Sequence, residues 1–259
     1  MKNVENKIDS NNLKINTFKQ QLKIFKQHYK MRVLVFDTET TGLPKTKIIN
    51  PDTLHLWPHI VQFSYLIYDT ELNDIIKTND NIVQVKEDVN IPEDSIKFHG
   101  ITNEISREKG IPLETILTYF FNHLSNVDLL VGHNVSFDIN MVKVELMRMI
   151  YSNLTEDVKD AFKYNLHHFT NFKNICCTLQ DSIELCNIQA FTKLGKPYLK
   201  FPQLIELHDK LFETKPNHLH NSLNDILITL RCFAKMKFGH DLNETCDKFK
   251  GLVETLHLL

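Results

Sequence analysis

The stretch Val33–Gly42, VLVFDTETTG, runs four apolar residues directly into Asp37-Thr38-Glu39 and then breaks at a glycine. A short apolar run bounded by turn residues reads as a buried strand. Side chains alternate across a strand, so Asp37 and Glu39 leave its exit on the same side. Two ionised carboxylates on one face repel each other, and burial without a partner adds a desolvation cost. Either the strand end is wet and the pair is incidental, or a cation lies between them.

Outward from this strand, strand-like and helix-like segments alternate, the pattern of an α/β layered fold. Ile60–Asp69 (IVQFSYLIYD) is β-branched and aromatic, and a hairpin is expected around Asn79-Asp80-Asn81. These short connections predict three consecutive antiparallel strands. Ile111–Leu124 has helical periodicity with Pro112 in its first turn. Asp128–Gly132 reads as a second short buried strand, followed by a helix from about Ser136 to Ile150. Residues 151–173 are polar with helical spacing and read as a solvated insertion whose lysines and aromatics offer a second reading, guidance of a single nucleic-acid strand. A further strand is expected in NICCTLQ (174–180), then helices in 201–212, 221–238 and the tail from Asp241. Residues 1–30, rich in Asn, Lys and Gln, form a polar extension, and the compact domain is expected over 31–259.

The 259 residues are 42% hydrophobic and 24% charged, with a formal net charge of −2. That lacks the global basic footprint of a duplex-wrapping protein, while leaving room for an enzyme that grips a strand end locally. Five cysteines without a CxxC pair are read as reduced thiols in a cytosol-like compartment, cytoplasmic or nuclear. His167-His168 with Cys176-Cys177 lacks zinc-ligand spacing. No secretory signal or membrane-length apolar run is found, so the three Asn-x-Ser/Thr triplets carry no weight.

Three further segments place acidic or imidazole groups where a site would sit. In VGHNVSFDINMVKVEL (131–146), Asp138 lies in the first turn of a helix after a buried strand, where ligands collect in open α/β sheets. By itself, that position only complements the helix dipole. In HLHNSLNDILITL (218–230), Ser222-x-x-Asp225 resembles a capping box, with His220 just outside the helix. In FHGITNEI (98–105), His99 precedes a glycine turn, and a solvated loop histidine is the simple reading. Taken together, four carboxylates and a histidine suit two Mg²⁺ ions about 3.5–4 Å apart, with the histidine taking a proton from the attacking water.

In this combination the chain resembles the DEDDh (DnaQ-like) 3′–5′ exonucleases of the ribonuclease H-like superfamily. The likeness rests on Asp37-Thr-Glu39-Thr-Thr-Gly, Gly132-His-Asn-x-x-Phe-Asp138 and His220-x-x-x-x-Asp225, supported by WPHIVQFS (57–64) and FHGIT (98–102). It implies a ribonuclease H-like mixed α/β sheet, its first three strands antiparallel, flanked by helices, with a helical insertion and extra C-terminal helices. Asp37, Glu39, Asp138 and Asp225 would hold two Mg²⁺ ions, with Mn²⁺ able to substitute. His220 would be the general base. Thr40, Thr41, Leu43 and His99 would meet the terminal nucleotide, while Asn134 and Phe137 buttress the second motif; for Leu43, core packing is the other reading. The implied substrate is nucleic acid with a free 3′ end, DNA before RNA, and the implied partner a polymerase or repair complex. An exoribonuclease acting on short RNA and a non-catalytic scaffold remain as rival readings.

Overall fold

The computed structural model describes residues 30–259; the expected polar extension, Lys30 apart, lies outside them. Strand β1 (Arg32–Thr40) forms the centre of a five-stranded sheet ordered β3-β2-β1-β4-β5. Strands β2 (Ile60–Asp69) and β3 (Asp74–Ile82) extend it antiparallel, and β4 (Leu129–Gly132) and β5 (Ile175–Cys177) extend the other edge parallel to β1. The expected mixed sheet is therefore present. One local expectation fails: Asn79-Asp80-Asn81 do not turn but continue β3 opposite Tyr65, Ser64 and Phe63. The hairpin instead closes at 70–73, where Asn73 adopts a left-handed conformation at φ 53°. A turn-forming residue can thus sit in a strand when cross-strand partners take its side chain, as Gln62 and Ser64 take that of Asp80.

Between β3 and β4 run α1 (Glu93–His99), α2 (Asn103–Lys109) and α3 (Leu113–Leu124). Helices α4 (Val135–Ile150) and α5 (Glu156–Thr170) join β4 to β5. Two short turns, α6 (Thr178–Asp181) and α7 (Ile183–Cys186), lead to a separate ribbon of β6 (Gln189–Phe191) and β7 (Pro197–Leu199). The chain closes with α8 (Leu204–Phe212), α9 (Ser222–Phe238), α10 (Leu242–Thr245) and α11 (Asp247–Thr255).

Period-two alternation divides the core between the sheet's two faces. Leu34, Phe36, Phe63 and Tyr65 pack on one side against α3, α4 and α5. Val33, Val35, Leu66 and Tyr68 pack on the other against α9 and the C-terminal helices. The segment 151–173 is helical and largely exposed, as expected, but it also contributes to the core. Phe162 and Phe169 of α5 are buried, and the Phe169 ring lies 5.9 Å from Phe120 and 6.4 Å from Phe36. Polar residues on its outer face hid a narrow aromatic stripe that completes the first layer.

Buried ion pairs hold the layers in position. Arg148 of α4 binds Glu145 at 2.6 Å and donates to the carbonyls of Leu54, Trp57 and Pro58, fixing the approach to β2. Arg231 of α9 binds Asp241 through two nitrogens at 2.6 and 2.8 Å and His208 at 2.8 Å. Loss of one member of such a buried set leaves an uncompensated charge, which is why these groups persist inside the fold.

Candidate active site

Asp37 and Glu39 stand at the C-terminal end of β1, on the face that α9 covers. Cross-strand register places Ser64 opposite Asp37 and Gln62 opposite Glu39, so all four share that face. Helix α9 enters there and delivers Asp225 from its first turn. One oxygen from each of Asp37, Glu39 and Asp225 lies within 4.8 Å of the others. Asp138, in the first turn of α4, reaches the same strand end from the opposite face. Its Oδ1 accepts the Thr38 N–H at 3.0 Å and the Thr38 hydroxyl at 2.8 Å.

Among the described residues, no cationic side chain pairs with these carboxylates. Burial pushes the Asp37 carboxyl up to about 7, and burial with the Asp37 charge pushes Glu39 up to about 8. Asp225 is raised by burial and by the charges of Asp37 and Glu39, against a weaker opposing contact from the His220 N–H. Asp138 is raised by burial and by Asp37, while its bonds to Thr38 oppose the shift. Asp225 Oδ1 is buried without a hydrogen-bond partner among the described residues. Crowded oxygen ligands with an orphaned carboxylate oxygen fit a hard divalent cation, since among the described residues no cation is paired with them.

Local structure explains how Asp225 is freed for this role. The expected Ser222–Asp225 capping box does not form. Asn221 caps α9 instead, its side-chain oxygen accepting the N–H groups of Leu223 and Asn224. Ser222 is buried and its hydroxyl meets that of Ser64 at 2.5 Å, while its N–H donates to Gln62 Oε1. Gln62 and Ser64 both donate to Asp80 of β3. This network, missed from sequence, pins the start of α9 against β2. Its signal was present as two polar residues at alternate positions in an apolar strand. Gln62→Leu is expected to cost about 1–3 kcal/mol by orphaning the Ser222 N–H, and to weaken metal binding by about 10–100-fold. Denaturant unfolding and a metal titration read the two effects; lost stability with unchanged metal affinity would make the network a brace for the fold alone.

His220 takes a left-handed backbone conformation at φ 68°, which directs its N–H to Asp225 Oδ2 at 3.3 Å. Its exposed ring lies edge-on to Phe98, with centroids 5.5 Å apart. Histidine tolerates this conformation better than branched residues, and held backbone strain recurs at functional sites. Two glycines are required here. A Cβ on Gly132 would meet Val135 side-chain atoms at 2.9 Å, so only glycine lets α4 start this close to β4. Gly42, at φ 146°, turns the chain out of the first motif.

The residues expected to meet substrate divide into two groups. Leu43 is 81% exposed, which excludes core packing for it. His99 is buried at the end of α1; its Nδ1 accepts the Ile101 N–H, and its Nε2 has no hydrogen-bond partner among the described residues. It is therefore not the solvated loop histidine of the simple reading, and burial lowers its pKa. Thr40 uses its hydroxyl on the Gly42 carbonyl. Thr41, expected to meet the terminal nucleotide, donates its backbone N–H to the His59 carbonyl, and its hydroxyl accepts the His59 N–H. Asn134 sits left-handed at φ 66° before α4, and Phe137 packs against the first core layer. His133, also missed, links Pro202 and Thr178. Burial pushes it down to about 4, against the opposing bond to the Pro202 carbonyl.

Sheet order, strand-end carboxylates and covering helices define a ribonuclease H-like nuclease architecture. The sequence model of the RNase_T exonuclease family matches residues 34–233, and the chain belongs to that family, within the DnaQ-like group. It is 33% identical over 147 residues to DNA polymerase III subunit epsilon of Buchnera aphidicola, covering 55% of this chain and 57% of that protein. The corresponding Haemophilus influenzae subunit is 29% identical over 128 residues, covering 49% and 46%. The chain thus spans about half the length of the curated relatives it matches. Two solved structures share the fold at 18% identity. Exonuclease I from Methylocaldum szegediense has a TM-score of 0.55, covering 82% of this chain and 42% of that one. E. coli exonuclease I in complex with a dT13 oligonucleotide has a TM-score of 0.53, covering 81% and 42%. Among the described residues, no helix is long and apolar enough to cross a membrane.

Proposed function

We propose that this protein is a divalent-metal-dependent 3′–5′ exonuclease that removes nucleoside 5′-monophosphates from single-stranded or frayed DNA ends in proofreading or repair. The observation that carries the reading is the meeting of Asp37, Glu39 and Asp225 within 4.8 Å around an unpartnered carboxylate oxygen. Asp37, Glu39, Asp138 and Asp225 would hold two Mg²⁺ or Mn²⁺ ions. When bound, such ions lower the pKa of water and neutralise charge on the scissile phosphate. His220, exposed at the mouth, accepts the proton of the attacking water, while its backbone stays tied to Asp225. His99 offers its Nε2 to the terminal nucleotide, and exposed Leu43 wedges against its base.

The relatives named as polymerase III epsilon subunits support a proofreading context, and the exonuclease I complex supports a DNA strand as substrate. The complete set of carboxylates argues against a non-catalytic scaffold. The test uses single-stranded oligonucleotides labelled at either end, with Mg²⁺ and with EDTA. A 5′-labelled strand should shorten stepwise while a 3′-labelled strand releases labelled mononucleotide at once, both only with metal. An intact strand under all conditions, or faster turnover of a matched RNA, overturns the reading.

A further inference from the structure

We infer that the β6–β7 ribbon is an arm that holds single-stranded DNA as it runs toward the carboxylate site, an inference that rests on the exonuclease reading. The ribbon stands out from the domain, with every residue from Phe191 to Leu199 exposed. A two-stranded ribbon has no core of its own and gains little from folding alone. It nevertheless exposes Phe191 at 67%, Leu194 at 87% and Tyr198 at 49%, and Phe201 beyond it at 60%. The register sets Phe191, opposite Pro197, on one face and Tyr198, opposite Ala190, on the other, so each face of the ribbon carries an exposed ring available for contact.

Charge selects the occupant. No acidic residue lies between Glu184 and Glu206, while Lys193, Lys196 and Lys200 all fall there. Lys200 is held by Glu206 at 2.7 Å, but Lys193 and Lys196 have no ion-pair partner among the described residues. Strand alternation puts Lys196, Tyr198 and Lys200 on one face, repeating at about 7 Å; the Lys200 N–H bond to the Ile188 carbonyl continues the β7 register. The unpaired Lys196 ammonium on the face of the exposed Tyr198 ring suits a phosphate backbone with unpaired bases, the ring stacking on a base whatever its identity. Helix α5, where lysines and aromatics first suggested a strand guide, offers the exposed Tyr164 ring but fewer free charges. Its Lys159 and Lys163 are paired with Glu156 and Asp160, and its Phe162 and Phe169 lie in the core.

Continuity with the site gives the second argument. Immediately after the ribbon, the Pro202 carbonyl accepts from His133 Nε2 at 3.1 Å. His133 is the residue before Asn134, which opens the helix bearing Asp138. The base of the arm is therefore fixed to the strand-end edge where the carboxylates meet.

The test compares wild type with K193A/K196A/Y198A on a deoxydinucleotide, too short to reach the arm, and on a long single-stranded deoxyoligonucleotide. Equal melting temperatures would show that the variant keeps its fold. Dinucleotide turnover should be unchanged, while KM for the long strand rises about tenfold or more. The slope of its logarithm against log salt should become shallower by about 1.4, or about 0.7 per lysine removed. Anisotropy of the labelled long strand in EDTA reads the arm even where wild type cleaves neither substrate, the result that would sink the exonuclease reading instead. Unchanged long-strand binding overturns the proposal and points to a protein partner; equal loss on both substrates overturns it too, because the ribbon would then be acting through the site.

Discussion

Asp37→Asn is expected to lower exonuclease turnover by at least ~10³-fold, more than the loss of a single preorganised hydrogen-bond donor, while making the metal-free protein more stable. The first effect follows from the position of Asp37 at the centre of the three-carboxylate group. The second follows from its raised pKa of about 7 and that of Glu39 at about 8. A carboxyl raised in the folded state binds more protons there than in the unfolded chain. Its stabilising contribution is complete below the unfolded value near 4 and is lost as pH rises through the folded value. Wild type in EDTA should therefore lose stability between about pH 4 and 8, and the asparagine variant should lose less. A three-unit shift corresponds to ~4 kcal/mol as an upper bound, and screening at a site partly open to water brings the expected gain to ~1–2 kcal/mol. Melting temperatures at pH 8 should place the variant above wild type, with the gap closing toward pH 4. Millimolar Mg²⁺ should reverse the order, since only wild type gains the full binding contribution. A variant that keeps near-wild-type turnover would falsify the site assignment.

His220→Ala is the second large effect, an expected drop of about 10²–10⁴-fold in turnover with metal binding kept. The His220 ring is outside the carboxylate group and contacts Phe98; only its backbone N–H touches Asp225. Alanine retains that N–H, so the Mg²⁺-induced rise in melting temperature should persist. If the metal-induced stabilisation vanished instead, the histidine would be a ligand. Unaltered turnover would assign proton removal to another group.

Much of the architecture was legible along the chain because it depends on short periods. Four apolar residues leading to Asp37 announced a buried strand, and the repeat in Leu113–Leu124 announced a helix. Misreadings arose where a local pattern had two partners to choose from. Asn79-Asp80-Asn81 have turn chemistry, but Asp80 receives Gln62 and Ser64 across the sheet, and the strand continues. Ser222 and Asp225 have capping-box spacing, but Asn221 takes the cap and Ser222 turns inward to Ser64. Helix α5 reads polar and stays mostly exposed, but two phenylalanines at one angular position dock it on the core.

By itself, the sequence determined that Asp37 and Glu39 share a face, that Asp138 and Asp225 begin helices, and that the motif order is that of an exonuclease. These are consequences of backbone period and spacing, which each segment carries locally. Tertiary structure alone decided that Asp225 joins the β1 pair with one oxygen unpartnered, that Thr41 spends its amide on His59, and that the lysine-bearing ribbon stands free beside the site. Whether a polar group is satisfied depends on which distant element packs against it, and no local pattern contains that information.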